Sequence, residues 1–241
     1  MTVLTTWQTV GISDQTEMRV FMAKPSDKNM PMPSILVLQE AFGVNAHIRQ
    51  VTQRIAEWGY IAAAPELYHR TTPGFESGYE DTAEAMQHLR AVTDDGLEAD
   101  LRATYDLLHN DPQADQKHIG AVGFCMGGRA AFLANAILPL SCAVSYYGGG
   151  IADKLLPRVP DQHGPLLLFW GGQDAHVGPQ QHYAVVDALR QAGKPFADVE
   201  FSEAGHGFFC DVRKSYHSAA ATASWTLMTT FLAQNLKLTG I

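Results

Sequence analysis

The pentapeptide Gly123-Phe124-Cys125-Met126-Gly127 sets a thiol at the centre of a G-x-nucleophile-x-G turn. The run before it, His118–Val122, reads as a buried strand, and Gly128–Ala134 after it reads as a helix. Strand, tight turn and helix together form a nucleophile elbow, which holds a reactive atom above the end of a sheet. Both glycines answer to sterics, because helix and neighbouring strand pass too close for a Cβ. Outside such a turn, a lone cysteine is usually a small buried hydrophobe. A thiol nucleophile needs a base or cationic partner, itself oriented by a carboxylate. Behind an elbow, the acid and then the histidine follow in chain order at strand ends. The strand Leu166–Trp170 runs into Gly171-Gly172-Gln173-Asp174, and Asp198–Phe201 gives way to Ser202-Glu203-Ala204-Gly205-His206-Gly207. Cys125, Asp174 and His206 are therefore the expected catalytic residues. Among the ten histidines, His176 and His182 fit less well, since a base beside its own acid breaks that order. Asp174 could instead be a turn-former, and Asp198 is a weaker rival because it opens a strand instead of leaving one.

A second chemical segment is Leu38-Gln39-Glu40-Ala41-Phe42-Gly43, which leaves a continuous apolar strand. The backbone N–H groups of Ala41 and Met126 are the expected oxyanion-hole donors, and such a pair is the largest electrostatic aid to acyl transfer. Glu40 beside them would repel a developing oxyanion unless it were tied down. One reading ties it to Arg129 or Arg49; the other gives it a hydrogen bond to Cys125. Phe42, Tyr68, Tyr147 and Phe208 are candidate walls of a substrate pocket, although aromatics also dominate ordinary cores.

The elements that must position these groups alternate along the chain. Strands are predicted at Met18–Ala23, Ser34–Gln39, Tyr60–Ala64, His118–Val122, Cys142–Tyr147, Pro165–Trp170 and Asp198–Phe201. Helices are predicted from Asn45 to Trp58, Tyr79–Val92, Gly96–Asn110, Gly128–Leu138, Pro179–Ala192 and Ser215–Leu236. The stretch from Pro25 to Pro33 reads as a loop, and the irregular stretch from His69 to Gly78 as a cap over a pocket. This pattern implies a mostly parallel central sheet with helices on both faces, an α/β fold in a single domain over residues 1–241.

The composition narrows the partners. A net charge of −8, from 17 basic and 25 acidic residues, with no basic cluster, argues against nucleic acid. No apolar run is long enough for a membrane span, and Met1–Thr6 lacks a signal-peptide pattern. Three cysteines, an odd number, make no disulfide framework and suit a reducing, cytoplasmic setting.

Together these residues resemble the dienelactone hydrolase family of the α/β-hydrolase superfamily. The resemblance rests on Gln39-Glu40-Ala41-Phe42-Gly43-Val44-Asn45, Pro65-Glu66-Leu67-Tyr68, Gly123–Gly128, Gly172-Gln173-Asp174 and Ala204-Gly205-His206. It implies hydrolysis of a small ester or lactone with no metal or organic cofactor, and a role for Glu40 in activating Cys125 when substrate binds. The family's arginines for the substrate carboxylate have no counterpart where they are expected. Cys210 stands four residues after His206, and Tyr79–Met86 contains no arginine. Arg70 or Arg213 could stand in. The expectation is a hydrolase acting through a thioester on a neutral or less anionic substrate. A thioesterase or acyltransferase on the same residues, and a thiol redox sensor, are the alternatives. The oligomeric state is not readable from the sequence.

Overall fold

The computed structural model describes residues 2–26, 31–80 and 82–237. Eight strands form one sheet in the order β1-β2-β4-β3-β5-β6-β7-β8. They are β1 (Val3–Gly11), β2 (Glu17–Pro25), β3 (Met32–Leu38), β4 (Ile61–Pro65), β5 (Ala114–Phe124), β6 (Cys142–Tyr146), β7 (Leu166–Gly171) and β8 (Phe196–Phe201). From β4 through β8 every pairing is parallel, while β1 and β2 add an antiparallel edge. All seven residues of β3 are buried, as a parallel strand covered on both faces requires.

Alternation along the strands sorts the core into two layers. Ile35, Val37, Val122, Val144 and Leu167 face one side, and Leu36, Leu38, Ala121, Ala143 and Leu168 face the other. The first layer is covered by α1 (Ala46–Glu57) through Ile48, Val51 and Ile55, and by α7 (Ser218–Asn235) through Met228 and Leu232. Full burial of each such side chain stabilises by about 1.5–3 kcal/mol. The second layer lies under α3 (Asp94–His109), α4 (Met126–Ile137) and α6 (Pro179–Gln191), with α2 (Ala83–Ala91) at its edge. A short helix α5 (Ile151–Lys154) and a 3-10 turn (Leu156–Asp161) link β6 to β7. None of the described helices is long and apolar enough to cross a membrane.

Several sequence expectations need correction. The edge strand β1 was not anticipated; its residues are mostly exposed, so no burial pattern marked them. Pro25 and Pro33 lie inside β2 and β3 instead of a loop; residues 27–30 of that stretch fall outside the described residues. Helix α2 begins at Ala83, not Tyr79, because the Tyr79 ring packs on Phe42 and its hydroxyl accepts from Asn45 Nδ2 at 3.1 Å. Helix α3 begins at Asp94, since the Thr93 hydroxyl accepts from Gly96 N and caps it. His217 caps α7, which starts at Ser218 instead of Ser215.

Candidate active site

One residue separates the end of β5 from the start of α4, and that residue is Cys125. So abrupt a reversal demands φ 56° and ψ −116° at a residue with a Cβ, a conformation costing about 1–3 kcal/mol. Hydrogen bonds hold it: Cys125 N donates to Tyr146 O at 3.0 Å, and its carbonyl accepts from Gly128 N at 2.9 Å. The flanking glycines make the turn possible. A Cβ on Gly123 would collide with the Gly127 carbonyl, and one on Gly127 with the Leu38 carbonyl. The sulfur therefore sits at the N-terminus of α4, where the helix dipole favours negative charge.

Asp174 and His206 arrive from the loops after β7 and β8. Gly172 N donates to Phe201 O and Gln173 N to Ala204 O, both at 2.9 Å, so the two loops are stitched together. His206 Nδ1 and Asp174 Oδ2 are then 2.8 Å apart. The other carboxylate oxygen accepts from His176 N at 2.7 Å and Val177 N at 3.0 Å. Burial pushes the Asp174 pKa up, but the His206 hydrogen bond and charge and these two N–H donors outweigh it and hold it below the usual carboxylate range. Burial pushes His206 down, yet hydrogen bonds to Asp174 and to the Cys125 sulfur, with their charges, raise it to about 10. The ring's hold on its proton is thus strengthened by the Asp174 carboxylate and by the Cys125 sulfur.

Cys125 and His206 open onto a cavity of about 820 Å³ whose walls include Ala41, Phe42 and Met126. The Ala41 and Met126 N–H groups donate to no other described group. Helix α2 supplies Met86, Leu89 and Arg90 to this wall. The cap is thus α2, not the stretch from His69 to Gly78, which is tied down by a Gly43–Glu76 bridge and buries Phe75. Of the four candidate wall aromatics, Phe42 lines the cavity. Tyr68, Tyr147 and Phe208 do not: they are at most 2% exposed and belong to the core. The Tyr147 ring packs at a tilt against the His206 ring, with centroids 5.0 Å apart.

Glu40 is tied to neither Arg49 nor Arg129, which pair with Glu76 and Asp94, nor is it bonded to Cys125. Its Oε1 accepts from Arg213 Nη1 at 3.0 Å, while Oε2 is buried without a partner. Arg213 also packs over the Phe42 and Tyr79 rings and lines the cavity. Its pKa is raised: burial lowers it, but the Glu40 charge overcomes that. Arg70 lies elsewhere, bonded to Asp14 and Asp100. His182 is likewise engaged away from the cavity, with Asp198 and Glu200. Sequence reasoning did not place His176, Arg90, Arg129 or Lys154 on the cavity wall, where all four lie. For Arg90 the signal was present in the i, i+3, i+4 spacing of Met86, Leu89 and Arg90 on one helix face.

A mostly parallel eight-stranded sheet whose central strand ends in an elbow defines an α/β-hydrolase. The sequence profile of the dienelactone hydrolase family matches residues 18–236, and the chain belongs to that family, an enzyme of the carboxylic-ester hydrolase class. A Synechocystis protein provisionally named carboxymethylenebutenolidase is 34% identical, over 85% of this chain and 87% of its own. The carboxymethylenebutenolidase of Pseudomonas putida is 33% identical, over 86% of this chain and 88% of its own. A Klebsiella pneumoniae protein, provisionally assigned as a dienelactone hydrolase, has a crystal structure that superposes with a TM-score of 0.89. It shares 30% identity, over 97% of this chain and all of its own.

Proposed function

We propose that the protein hydrolyses small esters or lactones through Cys125, with a thioester intermediate. The observation that supports this most is His206, held 2.8 Å from Asp174 and with its pKa raised in part by the Cys125 sulfur, which stands on a strained elbow. The Cys125 thiolate attacks the carbonyl carbon, and the carbonyl π electrons move to an oxyanion received by the Ala41 and Met126 N–H groups. As the oxyanion collapses, the C–O bond breaks and His206 protonates the leaving alkoxide. The imidazole is now neutral and takes a proton from water as its oxygen attacks the thioester carbonyl. Collapse then breaks the C–S bond, releasing the acid and restoring the thiolate and the cationic ring. Asp174 holds the ring in the orientation both transfers need.

The expectation of a neutral substrate loses its premise. Among the described lining residues, Arg90, Arg129, Lys154 and Arg213 stand against one acid, Asp153, and neither Arg90 nor Lys154 has an ion pair among the described residues. A carboxylate-bearing ester or lactone, of the kind named for the Pseudomonas putida relative, fits this wall. An anionic group reaching Arg213 would compete with Glu40 for the guanidinium and release the Glu40 carboxylate toward Cys125. Hydrolysis of p-nitrophenyl acetate and of an anionic lactone tests the proposal. Cys125→Ala abolishes both, and Asp174→Asn or His206→Gln lowers turnover by about 10²–10⁴-fold. Unchanged hydrolysis in Cys125→Ala would overturn it.

A further inference from the structure

Three buried side chains of different chemistry meet at Glu40. One donor atom from each of Glu40, His47 and Cys210 lies within 4.8 Å of the other two. Glu40 is 1% exposed, His47 8% and Cys210 0%. Two of them keep a buried atom with no hydrogen-bond partner, Glu40 Oε2 and His47 Nε2. Their other atoms are turned elsewhere: Glu40 Oε1 toward Arg213, and His47 Nδ1 toward Asp211 Oδ1 at 3.8 Å. Buried polar atoms are ordinarily satisfied, so two orphans in one cluster ask for an occupant.

We propose that Glu40, His47 and Cys210 form a binding site for a thiophilic divalent cation of the zinc type. Carboxylate oxygen, imidazole nitrogen and thiolate sulfur are the donors such an ion selects, whereas magnesium and calcium prefer oxygen alone. Three protein donors leave the fourth tetrahedral position to solvent. Asp211 Oδ1, 3.8 Å from His47 Nδ1, lies on the side where the outer carboxylate of a ligating histidine is found. Burial, its largest influence, keeps the His47 pKa below its ordinary value. Cys210 is pushed up to about 11 by burial and the Glu40 charge. The two negative charges of Glu40 and the thiolate then match the ion, and Arg213 stays on Oε1.

The site is distinct from the hydrolytic cavity, which neither His47 nor Cys210 lines. Of the three ligands, His47 borders a separate surface cavity of about 450 Å³, together with Tyr79 and Asp211. Its existence does not depend on the hydrolase reading.

Cobalt(II) serves as a visible probe, added to a Cys125→Ser protein so that the elbow thiol contributes nothing; Cys142, the other cysteine, is fully buried. A thiolate-to-cobalt charge-transfer band should grow and saturate at one equivalent, and zinc should abolish it by displacement. Adding Cys210→Ser should remove the band, and adding His47→Gln should weaken cobalt affinity at least tenfold. Circular dichroism confirms that each variant is folded; should Cys210→Ser not fold, His47→Gln carries the test. No thiolate band at one equivalent, a band surviving Cys210→Ser, or unchanged affinity in His47→Gln would each overturn the proposal.

Discussion

Arg213 and Glu40, 173 residues apart in the chain, form a 3.0 Å ion pair in which the glutamate side chain is 1% exposed and the arginine 17%. The pair joins the loop leaving β3 to the segment that follows His206, and it borders the cavity that contains Cys125. Cys210 occupies the position where the family resemblance anticipated an arginine, yet a guanidinium still reaches the site from three residues further along.

Breaking a buried pair leaves the surviving charge without compensation. Arg213→Met should therefore lower unfolding stability by about 3–5 kcal/mol in urea titrations. Adding Glu40→Gln should recover most of that loss without recovering ester turnover. Restored turnover in the double variant would show that the pair serves stability alone.

The pH dependence of stability follows from the two coupled groups. His206 is raised in the folded chain to about 10, against about 6.5 when unfolded. Its contribution is fully present below pH ~6.5 and lost as pH rises through about 10. Asp174 is lowered, so its contribution is present above pH ~3.9 and lost as pH falls through its folded value. Thermal melts should show wild type losing more stability than His206→Gln between pH 7 and 10. Cys125→Ala should also move the His206 titration downward in an NMR pH series, because the sulfur is one of the groups that raise it.

Elbow glycines and open glycines should respond differently to a methyl group. Gly127→Ala drives a Cβ into the Leu38 carbonyl, while Gly11→Ala meets nothing within 4 Å. The former should cost more than about 4 kcal/mol, the range of backbone strain and overpacking, and the latter stay within about 0.5 kcal/mol. Denaturant midpoints measure both.

The cationic wall should discriminate substrates by charge. Arg90→Ala should raise KM for a carboxylate-bearing ester at least several-fold, a charge-assisted contact being worth about 1.5–3 kcal/mol. For a neutral ester of the same shape KM should barely change. Equal effects on both esters would indicate that Arg90 only packs.

Much of this architecture was legible in the chain because the signals were local. Apolar runs such as Ser34–Leu38 and glycine or proline punctuation marked most parallel strands, and Asn45 capped α1 as its side chain suggested. Strand β1 escaped because an exposed edge strand shows no apolar alternation. The Cys125, Asp174 and His206 positions followed from chain order and strand ends, and the fold brings them together. The partner of Glu40 was not legible, since Arg213 joins it only through tertiary packing across most of the chain. The same limit hid the His47–Glu40–Cys210 cluster and left Tyr68, Tyr147 and Phe208 indistinguishable from wall residues.

The central claim is that Cys125 carries the acyl group during turnover. Acid quench of the wild-type protein within milliseconds of mixing with p-nitrophenyl acetate, followed by intact and peptide mass spectrometry, observes that step directly. The account requires an acetyl adduct on the peptide containing Cys125, absent from Cys125→Ala together with turnover. An adduct confined to another residue, or full turnover in Cys125→Ala, would contradict it.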